Sequence, residues 1–175
     1  MAEKLVPDTL REGSILDIGC GSYPFFLLNT VFSEKHGLDK LHANKEYGQS
    51  VTVKNFDIET GCDIPYEDNS FSAITMLAVV EHVESHKIVK VLREVYRIMK
   101  PGGIFIVTTP AAWTDGILRT MAKLGLLSAE EINEHKDTYT HGKIRSLFQE
   151  GGFNKKNMRF GSFEVSMNLW ATATK

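Results

Sequence analysis

"LDIGCGSY", residues 16–23, carries an apolar run into an acid and then into two glycines spaced one residue apart. Ser14 to Ile18 has the make-up of a short buried strand. Asp17, Gly19 and Gly21 therefore fall at the carboxyl end of that strand. Glycine lacks Cβ, so backbone there can approach a ligand closely or take a positive φ. Working outward, "KHGLD" reads as a short strand ending at Asp39. Residues 51–56 alternate apolar and polar, a strand ending at Asp57. "SFSAITMLAVV" is apolar and β-branched, suited to a strand covered on both faces.

Helical spacing separates these strands. Pro24 suits a first helical turn, and "FFLLNTVFSEK" places apolar residues at 25, 28 and 32 and at 27 and 31. From Ser85, apolar positions 88, 91, 92, 95, 98 and 99 define an amphipathic helix. Lys100, Pro101, Gly102 and Gly103 stop it, and 104–109, "IFIVTT", is a further buried strand. Residues 113–150 read as helical, with a capping box at Ser128. Ile144, Leu147 and Phe148 form an apolar face that ends at Gly151 and Gly152. The last stretch reads as two strands in a hairpin. Strand and helix alternate until strand follows strand, which predicts an α/β, doubly wound, mostly parallel sheet with an antiparallel C-terminal strand near its edge. Residues 1–175 read as one domain, with no linker or repeat.

Composition narrows the function classes. Lysine plus arginine number 20 and aspartate plus glutamate 22, a formal net charge of -2. That balance gives no field to draw in DNA, RNA or an anionic membrane. No apolar run approaches the length of a membrane span, and the first residues lack the apolar core of a secretory signal. Cys20 and Cys62 are expected as reduced thiols in a cytoplasmic protein. The histidines at 36, 42, 82, 86, 135 and 141 have no metal-ligand spacing; His82 and His86 stand four apart without a third partner. No metal site is expected.

The acids at the strand ends suggest a ligand. Open α/β sheets bind ligands beyond the carboxyl ends of their strands. Asp39 suits two ribose hydroxyls, because a carboxylate accepts both hydrogen bonds. Asp57 suits an exocyclic amine, and Asp17 a cationic group or a bound water. A nicotinamide dinucleotide would call for G-x-G-x-x-G. Counting from Gly19, that third glycine is Pro24, and Asp17 would sit poorly beside a pyrophosphate. The ligand indicated is an adenosine without phosphates and with a positive end.

"LDIGCGSY", "GLDK", "FDIETGCDIPYEDNSFSAITMLAVVEHV" and "LREVYRIMKPGGIFIVTTP" together resemble the successive motifs of class I S-adenosylmethionine-dependent methyltransferases, in particular the ubiquinone/menaquinone-biosynthesis group. "HKDTYTHGKIRSLFQEGGF" and "NLWATATK" resemble that group's end. The resemblance implies a Rossmann-like sheet of seven strands with a reversed final hairpin. It gives the Gly19–Gly21 loop to the methionine portion, Asp39 to the ribose, Asp57 to the adenine amine with Ile58 beside the ring, and the backbone near Leu77 to the methionine amino group. Tyr23 stands where such families place a third glycine, and Ser72 where they place an aspartate.

The implied reaction is methyl transfer from S-adenosylmethionine, leaving S-adenosylhomocysteine, to a small-molecule or lipid-like acceptor. Such an in-line displacement depends on alignment, and a base is needed only where the acceptor loses a proton. His82 is the candidate base; its plain reading is a helix-start residue. Glu81 reads as a first-turn acid favouring the helix dipole. His135, Tyr139 and His141 are expected at the surface. Trp113 reads equally as a lining of the acceptor site or as core, and Cys20 as a small buried filler. The alternative function is a methyltransferase-fold binding module or heteromer subunit that lacks the reaction.

Overall fold

The computed structural model describes residues 1–41, 45–48, 51–60, 63–114, 116–117, 120 and 136–175. The capping box at Ser128, together with His42, Cys62 and His135, lies outside them. Eight strands among the described residues form one sheet: β1 (Ser14–Ile18), β2 (Glu34–Asp39), β3 (Lys45–Tyr47), β4 (Val51–Asn55), β5 (Phe71–Leu77), β6 (Met99–Pro110), β7 (Met158–Phe163) and β8 (Asn168–Thr174). Their order is β3-β4-β2-β1-β5-β6-β8-β7. β4, β2, β1, β5 and β6 run parallel. β8 is antiparallel and lies between β6 and β7. The helices are α1 (Phe25–Asn29), α2 (Ser85–Ile98) and α3 (His141–Glu150).

Period-2 alternation sends successive residues to opposite faces of the sheet. Leu16, Ile18, Ile74, Met76, Phe105 and Val107 face α2 and α3. Ile15, Ala73, Ile104 and Ile106 face the other way, toward Leu27 and Phe32. That second face is covered by thinner material: α1 and the tight turn Ala2–Leu5, whose Ala2 and neighbouring Val6 are buried against it. Arg11 fastens this N-terminal segment, donating to Glu3 Oε1 at 2.6 Å, while the Thr30 hydroxyl donates to Glu3 Oε2 at 2.6 Å.

The structure departs from the sequence reading in places. The sheet has an eighth strand, β3, paired antiparallel with β4 from Lys45↔Val53 to Tyr47↔Val51. Gly48, at φ +64°, turns the chain between them. α1 stops at Asn29 although apolar spacing continues to Phe32. Ser33 N–H donates instead to the Arg11 and Gly13 carbonyls, at 3.2 Å each, which draws 30–33 into extended chain leading to β2. β6 starts at Met99, so "KPGG" lies inside it as an irregularity between Phe71↔Met99 and Ala73↔Ile104. Helix α2 matches its spacing: Ile88, Val91, Leu92, Val95 and Ile98 are all buried.

Leu92 is fully buried between α2 and the sheet, and its Cβ lies beside Gly151 after α3. Leu92→Ala is expected to cost about 2–5 kcal/mol of stability, read as a lowered urea midpoint with an unchanged slope.

Candidate active site

The chain turns to opposite sides of β1, running outward to β2 and β4 and then returning to β5, so the switch point lies between β1 and β5. A cleft of about 350 Å³ opens there, along the carboxyl ends of β1, β2, β4 and β5. Its walls include Gly19, Gly21, Asp39, Asp57, Ile58 and His82.

The glycine loop is tied down by backbone. Gly19 N–H donates to the Leu38 carbonyl at 2.7 Å, and Cys20 N–H to the same oxygen at 3.3 Å. Gly19 has φ +75°, and a Cβ there would lie 2.4 Å from Val79 Cγ2. Gly21 has φ +74°, and its missing side chain leaves open space. Asp39 closes the arrangement. Its Oδ2 accepts from Gly21 N–H at 2.8 Å and its Oδ1 from Leu41 N–H at 2.8 Å. One lone pair on each oxygen remains for a ligand. Asp57 Oδ1 accepts from Glu59 N–H at 2.9 Å, a local turn that holds the carboxylate at the cleft.

Asp17 lies beneath the loop rather than on the cleft wall. It is 3% exposed and accepts a 2.6 Å hydrogen bond from the Thr75 hydroxyl. Burial pushes its carboxyl up to about 7, with the nearby Asp39 charge adding to the rise and the Thr75 bond opposing it. The Leu77 side chain faces away from the cleft and lines a separate groove; Ala78 and Val79, the next two residues, line the cleft in its place. Ala78 has φ +55°, and its N–H donates to the Thr108 carbonyl at 3.0 Å. This kink turns the chain from β5 toward the cleft.

Other residues differ from expectation. Glu81 is a first-turn acid of the short turn Val80–His82 rather than of α2, and it is 2% exposed. Burial pushes its carboxyl up to about 7. Tyr139 is buried, not at the surface, and its hydroxyl donates to the Val80 carbonyl at 2.9 Å. His141 is half-buried, with Nε2 at 2.9 Å from the Gly161 carbonyl oxygen. Trp113 is exposed. Cys20 is buried and free, and burial with the neighbouring acids raises its thiol to about 12, which leaves it an inert filler.

Glu59 has no sequence signal, yet it links three segments at the cleft. Its carboxylate accepts from Lys136 Nζ at 2.8 and 2.9 Å and from Glu84 N–H at 2.9 Å. Burial opposes its ionisation, but these partners outweigh burial and hold the carboxyl below its ordinary range. Lys136 is 77 positions away, a pairing that only the fold creates.

The donor set suits an adenosine bearing a sulfonium. A positioned carboxylate can take a ribose diol, Leu38, Ile58 and Val83 give apolar walls, and the open space at Gly21 allows backbone contact.

Residues 2–156 match the family described as "Methyltransferase domain", and the chain belongs to that family. It is an S-adenosylmethionine-dependent methyltransferase. It is 26% identical over 168 residues to the demethylmenaquinone methyltransferase of Staphylococcus haemolyticus, covering 82% of this chain and 70% of that one. The other curated relatives are matched over 31–42% of their own length. The fold is similar to an S-adenosylmethionine-dependent methyltransferase of Mesorhizobium loti, with TM-score 0.71 at 16% identity over 99% of this chain and 96% of that one. It is also similar to a chain of the complex between the Haloferax volcanii Trm112 methyltransferase activator and a methyltransferase. There the TM-score is 0.68 at 15% identity, covering 94% of this chain and 83% of that one.

Gly19→Ala forces a side chain into an unfavourable φ and onto Val79, so S-adenosylhomocysteine affinity should fall at least about tenfold, which is about 1.4 kcal/mol, in calorimetric titration. A second expectation concerns pH. Asp17 and Glu81 titrate higher in the folded chain than the 3.8 and 4.5 of free side chains. The unfolded chain then sheds these protons first as pH rises, so their contribution favours the native state at low pH and is lost by about 7. The urea midpoint should fall between pH 5 and pH 8, values that bracket most of that window. Asp17→Asn with Glu81→Gln should flatten the fall, and a wild-type midpoint that does not drop across the range would contradict the assignment.

Proposed function

We propose that the chain, acting as one domain in the cytoplasm, transfers a methyl group to a small-molecule or lipid-like acceptor by in-line displacement. The observation that carries this reading is Asp39, fixed by the Gly21 and Leu41 amides at the mouth of the switch-point cleft. S-adenosylmethionine supplies the activated methyl on a sulfonium. Asp39 would hold the ribose hydroxyls, Asp57 the adenine amine, and Ile58 the ring face. The Gly19–Gly21 loop and the backbone following Leu77 would hold the methionine end. Asp17 would act through the loop it underlies, keeping negative charge or a proton beneath the cationic portion. His82, on the cleft wall, would take a proton from an acceptor that has one to lose. The net charge of -2 supports a small acceptor over nucleic acid. No helix among the described residues is long and apolar enough to cross a membrane.

A second reading, in which the chain works as a subunit with an activator, is favoured by its likeness to the chain complexed with Trm112. Calorimetric titration with S-adenosylhomocysteine separates the two. Micromolar binding by the isolated chain, about -8 kcal/mol, that weakens at least about tenfold in Asp39→Ala, supports the autonomous enzyme. Failure of the folded chain to bind favours the subunit reading.

A further inference from the structure

Two turns contribute to the wall of the cleft. One follows β4 and carries Asp57, Ile58 and Glu59; the other follows β5 and carries Val79 and His82. Both lie beyond the last residues of their strands, Asn55 and Leu77, so the position of each depends on what fastens it. Lys136 fastens both. Its backbone N–H donates to the Glu81 carbonyl at 2.8 Å, and its Nζ donates to Glu59 Oε2 and Oε1 at 2.8 and 2.9 Å. Lys136 is itself well anchored. Three positions on, Tyr139 is buried, with its hydroxyl donating to the Val80 carbonyl at 2.9 Å and its own carbonyl accepting from Ala112 N–H at 2.9 Å. One residue thus holds the His82 turn by its backbone and the Asp57 turn by its side chain.

Glu59 completes the tie. Its N–H donates to Asp57 Oδ1 at 2.9 Å, so where Glu59 is held, the Asp57 carboxylate is held too. Its Oε1 also accepts from the N–H of Glu84, the residue that caps α2, at 2.9 Å. In a capping box that acceptor comes from a glutamate at the third helical position. Here that position is Lys87, and Glu59 supplies the carboxylate from another part of the chain.

Burial gives the pair weight. A fully exposed ion pair contributes little, but the Glu59 side chain is only 16% exposed, against 39% for Lys136. A carboxylate largely withdrawn from water has little solvent to replace a lost cation. The Glu84 carboxylate also lies 3.8 Å from Lys136 Nζ, but Lys87 Nζ is closer to it, at 3.3 Å. We propose that Glu59, acting through Lys136, is a positioning residue for the cofactor: their ion pair holds the turn assigned to adenine in register with the turn that carries His82. Methyl donor and acceptor-side group are then placed by one frame, and an in-line transfer depends on that alignment. This role rests on the reading of the cleft as an S-adenosylmethionine site.

The test is calorimetric titration of the full chain with S-adenosylhomocysteine and, separately, with adenosine, for wild type, Glu59→Gln, Lys136→Met and the double variant. Glu59→Gln keeps an acceptor for the Glu84 N–H, and Lys136→Met keeps the backbone bond to Glu81, so each removes chiefly the ion pair. Each single variant should weaken both ligands by the same factor, about fivefold, and the double variant should be no weaker than either. Lys136→Arg, which restores the cation, should bind as wild type does. Urea midpoints measured on the same preparations separate positioning from folding. Lowered midpoints with affinity unchanged in every variant would mean a merely structural pair and would overturn the proposal. So would losses that add in the double variant, a Lys136→Arg loss equal to that of Lys136→Met, or a loss for S-adenosylhomocysteine that adenosine does not share. A folded wild-type chain that binds neither ligand would defeat the cofactor site and this role with it; wild-type binding with unresponsive variants would defeat the positioning role alone.

Discussion

Two amide hydrogens on one carboxylate hold the working end of this sheet in register. Asp39 ends β2, and its oxygens take the Gly21 and Leu41 N–H groups at 2.8 Å each. The glycine loop after β1 and the start of the chain after β2 are thereby fixed to a single side chain. Gly19, bonded to the Leu38 carbonyl, reinforces the same junction one residue earlier. Asp39 is 9% exposed, so these bonds form in a site where water competes little. Cleft shape and ligand contact therefore share one group, and the carboxylate that meets a ribose is positioned before the ribose arrives.

The sheet beneath is asymmetric in what covers it. One face carries α2 and α3, which pack on each other and on the β1, β5 and β6 core. The other rests on a five-residue helix and short N-terminal turns, among the described residues, held by the Arg11–Glu3 pair. Thin cover leaves the carboxyl edge open on that side, and the groove lined by Met1, Phe25 and Leu77 lies there. Buried acids gather at the same edge. Asp17 and Glu81 sit under the loops, and their raised titration is a stability cost that a purely structural core would avoid. Such groups concentrate where a protein binds and reacts rather than where it only packs.

Much of this was legible in the residues. Strands β1, β2, β5 and β8, and helix α2, follow from apolar runs and 3.6-residue spacing, because burial on one or both faces imposes those periods. Asp39 and Asp57 were readable as strand-end acids, because a doubly wound sheet gathers strand ends. β3 was missed because a strand of three residues gives too little alternation to detect, although Gly48 marked its turn. The length of α1 was overestimated, since spacing cannot see that Ser33 finds backbone acceptors at Arg11 and Gly13. Tyr139 was misplaced for a related reason. Local sequence suggests exposure for a polar residue beside a helix start, whereas the packing of 136–140 against Val80 and Glu81 buries it. Glu59 gave no signal, because its partner Lys136 is near only in space.

The placement of β8 between β6 and β7 governs how the sheet is built up. Among the described residues β7 has no ladder partner other than β8, and β6 meets β5 on one side and β8 on the other. Until β8 is inserted, β6 presents a bare edge of Ile104, Phe105, Ile106 and Val107, and β7 is unsupported. Hydrogen-bonding capacity and apolar side chains are then exposed together, the combination by which partly formed sheets pair with one another. Closing that edge joins residues far apart along the chain, which is slow relative to helix formation. β8 thus closes the edge of this sheet at which another chain would otherwise find both backbone partners and apolar side chains.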